Sequence, residues 1–551
     1  MRKRIWLLSL LSLISGCSDS ETTPTVDHIE LSVADPLIWH TREQVMVTAH
    51  LSDGSQTQLT DGVTYHSSNL DIAYFQQEQL WVIGTGEVEL SAHYAGLEHR
   101  LQRQVLRSSH DWSQDPDAMV IADHYYPKCF AAELQANLDY FRHDIGIEVG
   151  TGIPHENLKV DHNNIPYGKA NYTNISAIGL YLNVLVEVQR AGSPTAAEKM
   201  AQVLRQLEQA PHLDGLFHWL YRFENGVLTT TSNGGIVSAV DNGNLASSLA
   251  SLAGAFWQHS DPVLAELSQR SHALLQRQRT GWSRFYDPDK GMLRAAYRYN
   301  TDDPDQAPGF QNYHIDRKTN ESRTAPIWAA LLTQGMGDEA VPIDAFTNMK
   351  LFTTEYLNAQ GQTTEPALAW NGGIFQGLAP QLWFDEASLM PDFQMWIDFS
   401  QAQYEFAEQH RIPLLSSAPT VEDGYDSYGL DVVSEAYMRN PANSSQDTVG
   451  TPHASGLSFM VEPDRALTHL MGLKDQYPQI TSVAGWYGAI NAQGEMSSKL
   501  IAWDQGMFVG AFFADAIRQD VAHYIEQIEG TEALHQMYTS MISDGTLLPK
   551  E

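Results

Sequence analysis

NYTNISAIGLYLNVLVEVQR, residues 171–190, is the stretch on which the architecture of most of this chain turns. Ile178, Leu182, Leu185 and Val188 recur at helical spacing, and Gly192 stands where a helix would stop, so the pattern predicts a helix over 174–190. Similar runs follow at 196–207, 245–256, 262–277, 323–333, 345–357, 373–383, 393–409, 464–471, 507–517 and 532–542. The loops between them are long and rich in Asp, Asn, Gly, Tyr and Trp. About eleven or twelve helices, paired and separated by aromatic, carboxylate-rich loops, predict a mainly α fold, an (α/α)6 toroid. Its inner helices would be apolar nearly all round, and their loops would form a bowl at one end. An α-solenoid would instead repeat every 34–47 residues or so, and no such self-similarity is present.

Upstream of about residue 108 the period is two. Residues 26–33, 44–51, 62–66, 80–83 and 88–94 are short β-rich stretches, and Asp53-Gly54 between two of them reads as a hairpin turn. They predict a small β-sandwich over 26–106. The first residues have another character. Arg2, Lys3 and Arg4 precede a short apolar run from Ile5 to Ile14, too short to span a bilayer as a mature helix. Ile14-Ser15-Gly16-Cys17 then resembles a bacterial lipobox, whose cysteine becomes the lipidated first residue. The expected layout is a signal peptide over 1–16, a tether over 17–25, the sandwich over 26–106 and the toroid over 110–545. Cys17 would carry the membrane anchor, and Ser18 in place of aspartate points to the outer membrane, facing the periplasm or the cell surface. An ordinary secretory signal that happens to hold a cysteine is the plainer alternative.

Composition narrows the partners. Of 551 residues, 43% are hydrophobic and 18% charged, a globular balance. Lys+Arg number 33 and Asp+Glu 67, so the net charge is −34, which repels phosphate backbones and argues against nucleic acid. It leaves neutral glycans open. Two cysteines, Cys17 and Cys129, cannot build a disulfide framework or a thiolate zinc site, and Cys129 reads as a packed thiol. The 21 histidines show no helical metal-binding spacing, and His155 and His162 merely share a loop, so no metal is expected. No cofactor is expected either, because Gly-x-Ser-x-Gly and Gly-x-Gly-x-x-Gly are both missing.

The loops hold Tyr172, Trp219, Tyr221, Asp241, Asn244, Tyr297, Glu321, Arg323, Trp370, Asn371, Trp486, Tyr487, Asn491 and Asp504. Aromatic faces stack on sugar rings, and carboxylates and amides bond sugar hydroxyls, so the set suggests glycan binding. The bland reading of each Trp and Tyr is a core residue.

Ten short runs in order carry a family resemblance, among them SAVDNGNLASSL (238–249), NESRTAPIWAAL (320–331), LAWNGGIFQGLAP (368–380), GTPHASGLSFMVEPDRAL (450–467), GWYGAIN (485–491) and IAWDQGMFVGAFF (501–513). Residues 125–530 thereby resemble the glycoamylase-like domain of bacterial endo-β-1,2-glucanases and of the cyclising region of cyclic β-1,2-glucan synthases. Residues 26–106 resemble the bacterial Ig-like domain of group 2, a spacer or adhesive module. The first resemblance implies an (α/α)6 barrel and a glycoside hydrolase cutting β-1,2-glucan, with inversion expected in the chemical sense that water attacks opposite the leaving group. It makes Glu321, in Asn320-Glu321-Ser322, the general acid. Asp504 matches the aspartate near the reacting centre, with Trp503 and Met507 replacing the family's Ile and Pro. Asp241 matches a further aspartate and is expected, with Asn244, Trp219, Tyr172, Arg323, Trp370, Asn371, Trp486 and Tyr487, to bind substrate. Two carboxyl groups suit glycoside hydrolysis, one to protonate the leaving oxygen and one to activate water. Alternatives stand beside these roles: Glu321 as a helix N-terminal or Arg323-paired glutamate, and Asp504 and Asp241 as helix caps. Gln376 and Gly488 stand where related domains have Glu and Asp, which points away from transglycosylation. A related glycan transglycosylase or hydrolase of another linkage and a non-catalytic surface glycan-binding lipoprotein are the rivals.

Overall fold

The computed structural model describes residues 24–39, 41–76, 78–231, 235–299 and 308–550. The segment 1–16, Cys17 and most of the tether lie outside them. The chain divides into two compact units, Met1–Leu106 and Arg107–Glu551.

The first unit is a small β domain of three sheets. Val26–Ser32 pairs antiparallel with Met46–Leu51, which turns back into Gln56–Gln58. At that turn Gly54 takes φ +84°, a conformation that costs glycine nothing, and its N–H donates to the Leu51 carbonyl at 2.9 Å. The long hairpin Gly86–Tyr94 with Leu97–Leu106 forms a second sheet, and Arg42–Gln44, Gln79–Val82 and Ala73–Gln76 form the third. Period-2 alternation turns Ile29, Leu31, Val47, Ala49, Val88, Leu90 and Ala92 into one core.

The second unit is a closed ring of six inner helices. In chain order they are Ile175–Arg190, Ala239–Ala255, Thr324–Thr333, Ile374–Leu378, Pro452–Leu457 and Ala502–Phe512, hereafter inner helices 1 to 6. Helix 1 packs on 2, 2 on 3, the turn into 3 on 4, 4 on 5, 5 on 6, and 6 back on 1. Such helices are wetted on no side, so helix 1 buries every residue from Ile175 to Val188, and helices 3 and 6 are buried along their whole lengths. The outer helices are one-sided instead. In Ala196–Gln209 the buried Met200, Val203, Leu204 and Leu207 fall on one stripe.

Three expected helices differ. The run 345–357 gives only Asp344–Thr347, after which Lys350 and Leu351 are held extended by the Asp316 carbonyl and the Asp544 carboxylate. The outer place beside inner helix 3 is taken by Thr531–Thr539. In 373–383 the α-helix gives way to a 3-10 turn, Ala379–Leu382, at Pro380, which has no N–H to continue the ladder. The run 507–517 is the junction of Ala502–Phe512 with Ala514–Gln527, broken at Phe513.

Ala514–Gln527 closes the far end of the ring. Its Asp520 accepts a bond from Arg190 at the end of inner helix 1, and His523 bonds the Gly254 carbonyl near the end of inner helix 2. The first turns of the inner helices therefore meet at the opposite, open end. Ser176 bonds Asp241 across helices 1 and 2, Thr324 bonds Asn244 across 3 and 2, and His453 faces Asp504 across 5 and 6.

Close approach between inner helices depends on missing side chains. A Cβ on Gly243 would lie 2.6 Å from the Ala325 backbone nitrogen, beside the turn that carries Glu321. Overpacking of this kind costs about 1–3 kcal/mol. Gly472, on the outer helix Pro463–Gln476, has nothing within 4 Å of its would-be Cβ. Gly243→Ala should therefore lower the denaturation midpoint, whereas Gly472→Ala should leave it unchanged or raise stability by up to about 1 kcal/mol. Equal effects in chemical denaturation would contradict this packing.

Candidate active site

Four carboxyl groups stand at the open end. Asp241 lies in the first turn of inner helix 2, where Ser238 caps the helix and its hydroxyl accepts the Asp241 N–H at 3.3 Å. Ser, not Asp241, is thus the cap, and the Asp241 carboxyl is free to accept the Ser176 hydroxyl at 2.9 Å. Burial raises its pKa against the bonds from Ser238 and Ser176. Glu321 opens the 3-10 turn Glu321–Arg323 that leads into inner helix 3. Its Oε2 is buried without a hydrogen-bond partner among the described residues. Burial pushes its pKa up to about 7, and the charge of Asp241 adds to the shift while Arg323 opposes it. Asp504 is the third residue of inner helix 6, which Ile501 rather than Asp504 caps. It is 4% exposed, its Oδ2 lacks a hydrogen-bond partner among the described residues, and His453 Nδ1 stands 3.5 Å from that oxygen.

The fourth carboxyl, Glu156, carries no mark in the sequence. It follows the short strand Ile153–Pro154 and precedes Asn157–Val160, outside every run that signalled the family. Its own backbone locks it between two parts of the site: its N–H donates to the Tyr172 carbonyl, and its carbonyl accepts the Ala502 N–H at the start of inner helix 6. Burial, then the charges of Asp504 and Asp241, push its pKa up to about 8. Asp504 and Asp241 thus act on Glu156, and Asp241 on Glu321, although nearly 350 residues separate Glu156 from Asp504 along the chain.

Aromatic side chains rim this acidic floor. Tyr172, Trp219 and Trp370 are all exposed, Trp370 by 44%. Each is tied to an inner-helix start: Tyr172 sits on the strand entering helix 1, the Trp219 carbonyl accepts the Ile175 N–H, and the Trp370 N–H donates to the side chain of Asn320, next to Glu321. Tyr425, which no motif singled out, reaches the same floor. The residue is 57% exposed, so one side of it meets water, while its phenol is raised by burial and by the charges of Asp504, Glu156 and Glu321. Asp423 holds its loop, accepting Lys159 at 2.8 Å and the hydroxyls of Ser497 and Ser498.

Other expected ligands are placed elsewhere. Arg323 has no exposed side chain and is paired with the equally buried Glu386, so it braces the Glu321 turn and cannot reach a sugar. Trp486 is fully buried, and its indole N–H donates to Glu133 at 2.7 Å. Asn244 is buried between Ser176 and Thr324. The Asn371 side chain accepts the Gly373 N–H at the start of inner helix 4. Tyr221 is buried with its hydroxyl on the Pro211 carbonyl, and Asn491 closes its own turn on Glu495. Tyr487 lines a cavity of about 560 Å³ with Asp161, Thr481, Ser497 and Ser498. Cys129, expected to be packed, is exposed, because it precedes the helix Ala131–Leu138 while Phe130 takes the buried place. No group of His, Cys, Asp and Glu with a metal-holding arrangement occurs among the described residues.

No protein-family model and no curated protein matches this sequence. Solved structures share its fold. A mutant endo-β-1,2-glucanase from Talaromyces funiculosus, solved with β-1,2-glucan, aligns with a TM-score of 0.64 at 15% identity over 77% of this chain and 93% of that one. An endo-β-1,2-glucanase from Chitinophaga pinensis, in complex with sophorotriose and glucose, aligns with a TM-score of 0.59 at 17% identity over 75% and 97%. A β-1,2-glucanase from Parabacteroides distasonis aligns with a TM-score of 0.57 at 12% identity over 95% of this chain and 74% of that one.

The raised carboxyls make stability depend on pH. Glu321 has a folded-state pKa near 7, above its unfolded value near 4.5, so the folded state binds the extra proton between those values. Its contribution is intact below the unfolded pKa and is lost as pH rises through the folded one. Glu321→Gln removes that loss. Its melting temperature relative to wild type should therefore climb from about pH 4.5 to about pH 8 and level off above. A difference that is flat over that window would show that Glu321 is not held protonated.

Proposed function

We propose that this chain is an endo-acting glycoside hydrolase that cleaves β-1,2-glucan with inversion. The observation that carries the reading is that Glu321 and Asp504 both stand at inner-helix starts at the open end of the ring and both act on the Tyr425 phenol, with Glu321 holding its proton to about pH 7 and its Oε2 without a hydrogen-bond partner among the described residues. Glu321 is the general acid and gives its proton to the glycosidic oxygen as the C–O bond breaks. Asp504 accepts a proton from the water that attacks the anomeric carbon, directly or through a substrate hydroxyl. Asp241 raises the pKa of Glu321 and is placed beside it to bond a sugar hydroxyl. Tyr172, Trp219 and Trp370 offer exposed faces for pyranose rings. The β-1,2-glucan preference rests on the shared fold of the Talaromyces and Chitinophaga enzymes together with the ordered motifs of this sequence.

Hydrolysis of linear β-1,2-glucan tests the reading. General acid catalysis contributes about 10²–10⁴ in rate, so Glu321→Gln should lose at least about 10²-fold activity while remaining folded. The activity of the wild type should fall as pH rises through about 7, where Glu321 releases its proton. Polarimetry should show the product formed with inverted anomeric configuration. A fully active Glu321→Gln removes it from the acid role, and wild type that binds the glucan without cutting it leaves a glycan-binding protein.

We also propose that the chain is an outer-membrane lipoprotein anchored through Cys17, with the β domain as spacer. The positive start, short apolar run and small residues before Cys17 support it. Cys17→Ser should move the protein out of the membrane fraction or stall its processing. Unchanged partition into detergent would refute the anchor.

A further inference from the structure

Glu156 has the surroundings of a working group, not of a structural one. Its backbone is fixed at both ends, by the Tyr172 carbonyl and by the Ala502 N–H. The Asn174 backbone, at the cap of inner helix 1, opposes the rise in its pKa. Oε2 is buried and finds no donor or acceptor among the described residues. The charged groups facing it are Asp504 from inner helix 6, Asp241 from inner helix 2 and Lys499 from the strand Lys499–Ile501. Phenols face it from three further elements, Tyr140, Tyr172 and Tyr425. Two carboxylates against one ammonium, with one oxygen unserved, favour the neutral acid. A neutral acid at that place has an O–H to give, and its Oε2 has no hydrogen-bond partner among the described residues.

We propose that Glu156 is a third functional carboxyl of the bowl, which binds the glucan as the neutral acid by donating its O–H to a sugar hydroxyl. The proposal rests on the glucanase reading. In it, Glu156 takes no part in proton transfer. It orients the sugar that lies between Tyr172 and Asp504, and ionisation of Glu156 replaces the donor by a third negative charge.

Binding of a linear β-1,2-glucan oligosaccharide to Glu321→Gln, followed by calorimetry, isolates this role from the acid. Affinity should weaken several-fold as pH rises through about 8, the point at which Glu156 ionises. The double variant with Glu156→Gln, whose amide remains a donor, should bind within about threefold of the single variant at about pH 6 and stay flat to about pH 9. The double variant with Glu156→Ala should bind about tenfold more weakly throughout. If it fails to fold, the Gln pair decides alone. Unchanged affinity on Glu156→Ala overturns the proposal, as does a pH dependence that survives Glu156→Gln. Oligosaccharide that binds neither wild type nor Glu321→Gln at any pH overturns the glucanase reading itself, and this role with it.

Discussion

The ion pair between Arg323 and Glu386 is the constraint on which the active end of the barrel depends. Neither side chain has any exposed surface. Arg323 donates from Nε to Glu386 Oε1 and from Nη2 to Oε2, both at 2.8 Å, while Nη2 also reaches the Gly377 carbonyl at 2.7 Å and Nη1 the Asn320 carbonyl. Tyr538 completes the set with a bond to Glu386. Four pieces of chain are thereby pinned together: the start of inner helix 3, inner helix 4, the Glu386 turn and the last helix. Removing one partner of such a pair strands a buried charge, at a cost of about 3–5 kcal/mol. Glu321 lies two residues from Arg323, so the same bonds fix where its carboxyl points.

The pair also governs charge. An arginine so near a glutamate ordinarily pulls its pKa down. Here Glu386 occupies the guanidinium on its bidentate edge, and the desolvation of Glu321 prevails. A free Arg323 would draw the proton off Glu321. The inner helices present their N-terminal ends to the bowl, where the helix dipole favours carboxylates. Burial outweighs that preference at Asp241 as well as at Glu321, because the ring leaves little water around either. The fold thus gathers acidic groups and keeps protons on some of them, which is the condition for acid catalysis near neutral pH.

Much of this was legible in the sequence because the physics is periodic. An inner helix must be apolar nearly all round, and 175–188 reads that way except at Ser176, Asn183 and Glu187. Glu321, Asp504 and Asp241 lie in first turns preceding such helices, and the ordered motifs point to them. Glu156 was not legible, since it sits in a bend between two short strands with no period of its own, and backbone bonds to Tyr172 and Ala502 bring it to the bowl. Arg323 and Trp486 were misplaced for a different reason. Composition cannot tell an arginine or an indole that meets a ligand from one that meets a buried glutamate, and Glu386 and Glu133 lie far from them in sequence. The helix expected at 345–357 failed because contacts with residues 316 and 544 override local propensity.

Catalysis by this barrel requires that it keep a proton on Glu321 near neutral pH. Infrared difference spectroscopy of wild type against Glu321→Gln measures this directly, through the absorbance of the protonated carboxyl as pH is varied. One carboxylic acid should titrate with a midpoint near 7. A midpoint near the ordinary glutamate value of about 4.3 would contradict it.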